Sequence, residues 1–278
     1  MSLQALKRIL KKKKSLIVKI VHCLRKHKIC IIISISILVA ASIIIFYFFY
    51  LKKDKEKEVE NENEVEDNLL QNYTFKAVYY TEKYANISFR SHANEILEMN
   101  IDGIKVYNQS DCIFNSSGYH TVYVLMNLEK VEKLNLFNSK QLKSVRFAKN
   151  LNTSNIKSMS YMFSECSSLT YVNFSNFNTE KVVDMKYMFS SCNSLTSIDL
   201  SHFNTKNVLY MDYMFYVCES LISVDLSKLN LSRVTSMRLM FAVCYSLKSI
   251  NLSNLNLAKL KDATAMFTMD GNLTTVNF

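Results

Sequence analysis

A 26-residue repeat fills the carboxy-terminal half of the chain. The dipeptide Met-Phe recurs at this constant step, beginning at Met162, Met188, Met214, Met240 and Met266. A fixed period of this length is typical of repeat architectures, in which each unit buries its apolar face against its neighbours. The spacing therefore predicts a solenoid with five complete units.

Two kinds of apolar spacing follow one another within each unit. In residues 182–206 the positions of Val182, Met185, Met188 and Cys192 are typical of one face of a helix or of tight helical turns. The second half carries the frame LxxLxL, whose alternation predicts a short strand. This frame begins at Leu142, Leu169, Leu195, Leu221, Leu247 and Leu273.

The combined motif MxxMFxxCxSLxxxDLSxFNT resembles the repeat of the BspA-like leucine-rich-repeat surface proteins. The likeness covers about residues 142–278, half of the chain. It implies an α/β solenoid whose parallel strands form a sheet on one side of an arc. It also implies a surface protein that adheres to host or matrix proteins. The array is short for this family, and its expected anchor is amino-terminal.

The amino-terminal segment predicts a membrane anchor. Residues 1–28 carry ten Lys and Arg and no acid, and residues 29–51 contain no charged side chain. At about 1.5 Å per residue the uncharged run spans about 35 Å, enough for a bilayer core of about 30 Å. The charge asymmetry predicts a single-pass type II signal-anchor in the plasma membrane, with residues 29–51 in contact with lipid and the carboxy-terminal domain extracellular. The alternative is a cleaved signal peptide, whose apolar region is normally shorter.

The net charge of +10 belongs to this tail. Subtracting its ten bases from the 34 of the chain leaves 24, which equals the number of acidic residues. A balanced remainder does not indicate a nucleic-acid partner. We expect a charged stalk at residues 52–70, because four Lys and eight acids in residues 52–67 offer almost nothing to bury.

Residues 71–127 show the period-two alternation of strands, with turn signals at Asp102-Gly103 and Ser117-Gly118. They predict a small antiparallel β module that caps the solenoid of residues 128–278. No catalytic, cofactor-binding or metal-ligating pattern is recognisable, so we expect neither an enzyme nor a cofactor. The repeated Cys166, Cys192, Cys218 and Cys244 lack close metal-type pairs, which favours free buried thiols.

Functional residues are expected on the open face of the strands, where side chains alternate with the apolar frame. We expect this face to bind an external protein or glycan, that is, to mediate adhesion. The alternative is that its polar side chains contact only water and one another. A second hypothesis is a structural or self-associating coat protein that uses the carboxy-terminal sheet edge. The face residues are Ser144, Arg146, Tyr171, Asn173, Ser197, Asp199, Ser223, Asp225, Ser249, Asn251, Thr275 and Asn277.

Asn-x-Ser/Thr triplets are frequent beyond the uncharged run. In a eukaryotic secretory pathway they would be acceptors for N-glycosylation. The predicted acceptors are Asn72, Asn86, Asn108, Asn115, Asn152, Asn230 and Asn272.

Overall fold

The computed structural model describes residues 68–278 apart from positions 90, 91, 93, 108–110, 136, 254 and 278. All of them belong to one compact unit, Glu66–Phe278. The predicted tail, span and most of the stalk lie outside the described residues.

The first six strands are antiparallel. They are β1 (Phe75–Thr81), β2 (Asn86–Ser88), β3 (Ile96–Ile101), β4 (Ile104–Tyr107), β5 (Asp111–Ile113) and β6 (Gly118–Met126). The β3–β4 hairpin turns at Asp102 and Gly103, whose φ angles of 50° and 89° match the turn that Asp-Gly favours. The long strand β6 pairs with both β1 and β3, and a separate small sheet joins β2 to β5.

The repeat units add short parallel strands. These are β7 (Leu142–Phe147), β8 (Tyr171–Asn173), β9 (Ser223–Asp225), β10 (Ser249–Asn251) and β11 (Thr275–Asn277). Strand β7 pairs antiparallel with β1 and parallel with β8, which produces a mixed six-stranded sheet of order β4-β3-β6-β1-β7-β8. Strands β9 to β11 form a separate parallel sheet. The frame at Leu195 forms no strand.

The Met-Phe half of each unit consists of turns. The Met185 N–H donates to the Tyr210 carbonyl oxygen at 3.0 Å, and the Phe189 N–H donates to that of Met214 at 2.9 Å. An α-helix requires each N–H to bond the carbonyl four residues earlier. Because these groups bond the following unit instead, the segment cannot be an α-helix.

Left-handed backbone recurs in these turns at two positions per unit. The pairs are Tyr161 and Glu165, Tyr187 and Ser191, Tyr213 and Val217, Leu239 and Val243, and Ala265 and Met269, all with φ between 51° and 66°. Residues other than Gly seldom adopt this backbone conformation. The repetition shows that the lateral hydrogen bonds between units fix the conformation.

Neighbouring units lie in register. Isolated parallel bridges join positions 26 residues apart, from Ser158 through Asp184, Tyr210 and Ser236 to Asp262. The core follows the same register, because Phe163 and Phe189 stack with ring centroids 5.6 Å apart and planes 3° apart. The stacked rings are Phe137, Phe163, Phe189, Phe215, Phe241 and Phe267.

Two predictions are wrong. The fold class is not an α/β solenoid with a transmembrane helix, because the described residues form mixed sheet and turns with almost no helix. The apolar spacing that suggested a helix belongs instead to successive tight turns, whose apolar side chains face the core. The predicted single-pass plasma-membrane localisation is contradicted as well: in residues 68–278, as far as they are described, no helix is long and apolar enough to cross a membrane. The proposed span at residues 29–51 itself lies outside that part.

Candidate binding face

The structure places four of the predicted face residues on β7 and β8. Ser144 is opposite Tyr171 and Arg146 is opposite Asn173 in the parallel register. Between them, Val145 and Val172 point into the core and are buried. The alternation along each strand therefore separates a polar face from an apolar one, as strand geometry requires.

A second group of predicted residues lies on the three-stranded sheet. One row joins Ser223, Ser249 and Thr275, and the next joins Asp225, Asn251 and Asn277. Ser197 and Asp199 are exposed, but their segment forms no strand. The structure therefore divides the predicted face residues between two separate sheets and places Ser197 and Asp199 on neither.

The Asx side chains at the ends of β8, β9 and β10, and Asp199 at the equivalent position of its unit, close turns. Asp199 Oδ1 accepts a hydrogen bond from the Ser201 N–H at 2.9 Å, and Asp225 Oδ1 accepts one from Ser227 at 2.8 Å. Asn173 and Asn251 make the same contact two residues ahead. Such Asx turns satisfy backbone donors where the strand ends.

These contacts favour the ionised form of the two aspartates. Hydrogen bonds from Ser201 lower the pKa of Asp199, and hydrogen bonds from Ser227 lower the pKa of Asp225. Both carboxylates are therefore ionised at neutral pH, and neither is poised to act as a general acid. Their contribution to a ligand is negative charge.

The antiparallel strands extend the open face beyond the residues that the sequence predicted. Val78 on β1 is opposite Thr121 on β6 and Ser144 on β7, so one row runs from Thr121 across Val78 and Ser144 to Tyr171. In the next row Lys76, Arg146 and Asn173 are half-buried, whereas Tyr123 is buried against Leu70 and Tyr73. Sequence reasoning missed this continuation because the paired residues of β1 and β7 lie far apart in the chain; Phe75 and Phe147, for example, are 72 positions apart (147 minus 75).

Three exposed tyrosines stand out on this part of the face. Tyr80 and Tyr119 form a cross-strand pair with an edge-to-face contact of 4.9 Å between ring centroids, and Tyr171 lies on β8. They are 47%, 72% and 50% exposed, respectively. We call these three residues the tyrosine patch. The signal available in the sequence was the period-two position of Tyr80 and Tyr119 beside the buried Tyr79 and His120.

A second tyrosine cluster lies on the turn side of the units. Tyr161, Tyr187 and Tyr213 stack in parallel, with centroid distances of 4.7 and 4.5 Å. Burial raises the pKa of Tyr187. The rings cover one another's faces beside a shallow groove of about 510 Å³, lined by Lys186, Asp212 and other charged residues. The recurring tripeptide Tyr-Met-Phe was the sequence signal for this ladder.

The repeated cysteines are free and buried, as predicted. The thiols of Cys192 and Cys218 donate to the carbonyl oxygens of Phe163 and Phe189, at 3.2 and 3.1 Å. Burial raises the pKa of Cys166 to about 12. Within the described residues, no group of three or more His, Cys, Asp and Glu is arranged to hold a metal. The cysteine column therefore packs and bonds the units to each other.

The predicted glycosylation acceptors lie on the surface wherever they are described. Asn72, Asn86, Asn115, Asn152, Asn230 and Asn272 are exposed. Asn108 lies outside the described positions. Glycosylation of these residues stays a prediction.

Two family models match the chain. The model described as "Mycoplasma protein of unknown function, DUF285" matches residues 131–249 and 219–275, which together exceed half of the 278 residues. The model of the BspA type leucine rich repeat region, in six copies, matches residues 63–185. No curated protein and no solved structure is significantly similar to the chain. The chain thus belongs to the Mycoplasma DUF285 family, and its repeats are of the BspA leucine-rich-repeat type.

Proposed function

We propose that the chain is an adhesion protein that binds a partner protein or glycan through the open face of its mixed sheet, without catalysing a reaction. The BspA-type repeats suggest a surface protein with a protein-binding role. The finer assignment rests on the register that joins the strands of the antiparallel region to the first repeat strands. This register supplies one continuous surface four strands wide.

The composition of this surface supports binding. Aromatic residues are enriched at protein interfaces because they bury a large area with few rotatable bonds, and Arg is enriched there as well. The face offers exposed Tyr80, Tyr119 and Tyr171, with Arg146 and Lys143 beside them. Lys143 Nζ lies 6.0 Å from the centroid of the Tyr80 ring. A flat surface with several aromatic anchors fits an extended partner better than a small molecule.

The test is selection of ligands by the full chain from a displayed random-peptide library and from a glycan array. Each selected ligand is then measured against Tyr171→Ala and Tyr119→Ala. We expect about ten-fold weaker binding for each substitution at the patch. Tyr187→Phe, on the turn side of the units, is the matched control and should bind normally. Ligands that bind all variants equally would exclude the open face as the binding site.

A second candidate function is self-association through β11. This strand has one described neighbour, β10, and Val276 and Phe267 are half-exposed whereas their equivalents Ile250 and Phe241 are buried. An uncovered strand edge with apolar side chains favours pairing with another copy. Sedimentation of the full chain tests this, because Val276→Lys should convert an oligomer to a monomer. A wild-type protein that sediments as a monomer at high concentration would rule it out.

A further inference from the structure

The turn side of the repeat units carries a groove that the proposed function does not use. Its volume is about 510 Å³, and the stacked rings of Tyr161, Tyr187 and Tyr213 form part of its wall. Ligand sites in proteins commonly have volumes of about 300–1,000 Å³ and mostly apolar walls. Every lining residue described for this groove carries instead a hydroxyl, a carboxylate or a cationic group. The groove is therefore large enough for a ligand and polar throughout.

The charged side chains of the groove balance, with three bases and three acids. They are Lys133, Lys186, Arg238, Asp184, Asp212 and Asp262. Hydrogen bonds from Thr264 lower the pKa of Asp262, and the nearby charge of Arg238 adds to this shift. A lining without net charge gives neither an anion nor a cation an electrostatic advantage.

Asp212 is the buried acceptor of the groove. It is 9% exposed, and its Oδ1 accepts hydrogen bonds from the Ser236 hydroxyl and, at 3.2 Å, from the Arg238 N–H. Within the part of the chain that the structure describes, Oδ2 has no hydrogen-bond donor. A buried carboxylate oxygen is costly unless a donor reaches it. A ligand hydroxyl in the groove would supply that donor.

Backbone donors hold the other two carboxylates in fixed positions. Asp184 Oδ1 accepts from the Lys186 N–H at 3.0 Å, and Asp262 Oδ1 accepts from the Thr264 N–H at 2.9 Å. Groups that are fixed before a ligand arrives lose little conformational entropy on binding. The groove therefore offers preorganised acceptors in three of its units.

Donors lie beside these acceptors. Lys186 Nζ is 4.4 Å from the centroid of the Tyr210 ring, so a cation–π contact orients its ammonium group. Burial raises the pKa of Tyr187, and the neighbouring tyrosines and the Asp212 carboxylate add to the shift, which indicates that its hydroxyl lies near this carboxylate. The hydroxyls of Tyr187 and Tyr213 can each donate and accept. Because the rings cover one another's faces, they meet a ligand with their edges.

This arrangement suits a ligand that is rich in hydroxyl groups. A sugar hydroxyl donates one hydrogen bond and accepts others, so it pairs with a carboxylate and an ammonium group at once. A peptide would find no apolar pocket for the side chains that usually anchor it, and a nucleic acid requires net positive charge. The ring spacings of 4.7 and 4.5 Å repeat the polar groups from unit to unit, so a linear chain of sugars meets similar groups along its length.

We propose that the groove binds a neutral oligosaccharide, with Asp212 as its buried acceptor, Lys186 as a donor, and the edges of Tyr187 and Tyr213 against the sugar hydroxyls. The inference goes beyond the proposed function, because these residues lie outside the open face of the mixed sheet. It assigns a ligand to the turn side of the units.

The experiment applies the full chain to an array of neutral, sialylated and sulfated oligosaccharides. We expect binding of neutral oligosaccharides, whose affinities are then measured by isothermal titration calorimetry. Asp212→Asn should weaken binding about ten-fold or more, because it removes the charge of the acceptor. Tyr187→Phe should weaken binding about five-fold, because it removes one hydroxyl and keeps the ring stack. Tyr245→Phe, at an exposed tyrosine outside the groove, is the matched control and should bind normally.

Four results would overturn the inference. The first is an array on which no neutral oligosaccharide binds. The second is binding that both Asp212→Asn and Tyr187→Phe leave unchanged, which would place the sugar elsewhere on the chain. The third is stronger binding of sulfated or sialylated oligosaccharides than of neutral ones. The fourth is a peptide from the displayed library that depends on Asp212 and Tyr187 and displaces the sugar, which would make the groove a peptide site.

The variants separate this inference from the proposed function. A ligand that Tyr171→Ala weakens and Tyr187→Phe does not binds the open face, whereas the reverse pattern identifies the groove. Either proposal can therefore fail while the other stands. Thermal unfolding of each variant is compared with that of the wild type. If Asp212→Asn is destabilised, Tyr187→Phe decides the outcome.

Discussion

The thiol of Cys218 donates to the carbonyl oxygen of Phe189, 29 residues earlier in the chain, at 3.1 Å. Cys192 and Cys244 make the same contact with Phe163 and Phe215. The column of thiols therefore connects each unit to the preceding one in the core. A small, weakly polar side chain suits this position, because it packs as an apolar group and still satisfies a carbonyl.

This arrangement predicts that the core thiols do not react in the folded protein. Burial raises the pKa of Cys218 well above its usual range, and the nucleophilic thiolate is therefore scarce. Pulsed alkylation followed by mass spectrometry should label Cys218 at the rate of global unfolding. Thr196→Cys, which places a thiol at an exposed position, is the control and should react within seconds. Rapid labelling of Cys218 in native buffer would show that the units separate readily.

The left-handed turn positions predict a stabilising glycine substitution. Glu165 is exposed with φ of 63°, a conformation that costs a side-chain-bearing residue roughly 1–2 kcal/mol. We expect Glu165→Gly to raise the free energy of unfolding by about 0.5–1 kcal/mol after the backbone entropy of Gly is allowed for. Denaturant titration measures it. Glu219→Gly, at an exposed glutamate without positive φ, should lower stability by a similar amount. Equal losses for both variants would contradict the strained conformation.

A buried threonine joins each of the early units to the next one. Thr179 Oγ1 accepts from the Asn204 N–H at 2.8 Å and donates to the Asn204 carbonyl oxygen at 3.2 Å. Thr179→Val keeps the shape and leaves both groups without this partner, so we expect a loss of about 1–3 kcal/mol. Thr196→Val, on the surface, should change the free energy of unfolding by less than about 0.5 kcal/mol. If the two valine variants unfold alike, the hydroxyl bridge does not stabilise the repeat.

Asp270 occupies the cysteine position of the last unit. Its Oδ1 accepts from the Cys244 N–H at 2.8 Å, but Oδ2 is buried without a hydrogen-bond partner. Burial raises the pKa of Asp270 to about 6. A folded-state pKa above the unfolded value of about 3.9 means that the native state holds its proton more tightly, so this contribution to stability is full below pH 4 and is lost as pH rises through 6.

We therefore expect Asp270→Asn to stabilise the protein at pH 7.5, by about 1 kcal/mol, and to have little effect at pH 4. Thermal unfolding over this pH range measures the difference. Asp262→Asn is the control: hydrogen bonds from Thr264 lower the pKa of Asp262, so its carboxylate stabilises above the unfolded pKa and that contribution is lost as pH falls. A pH-independent effect of Asp270→Asn would contradict the raised pKa.

Much of the local structure was readable in the sequence. Alternation and turn signals predicted strands where β1, β3 and β6 occur, and the LxxLxL frames at Leu142 and Leu169 lead into β7 and β8. The buried, unpaired cysteines followed from their spacing. The helical interpretation failed because apolar residues at i, i+3 and i+7 mark the core-facing side equally well in a helix and in successive turns.

The repeat period by itself determined which residues form the core, since a side chain and its equivalent 26 positions later must occupy equivalent places in neighbouring units. It also determined the polar positions of the strands. Only the tertiary structure determined the backbone hydrogen bonds of the turns. Their N–H groups donate to carbonyl oxygens in the next unit, and no local sequence pattern predicts this pairing. The pairing of β1 with β7 was likewise decided by long-range contacts, and it places Tyr80 and Tyr119 on the same open face as Arg146 and Tyr171.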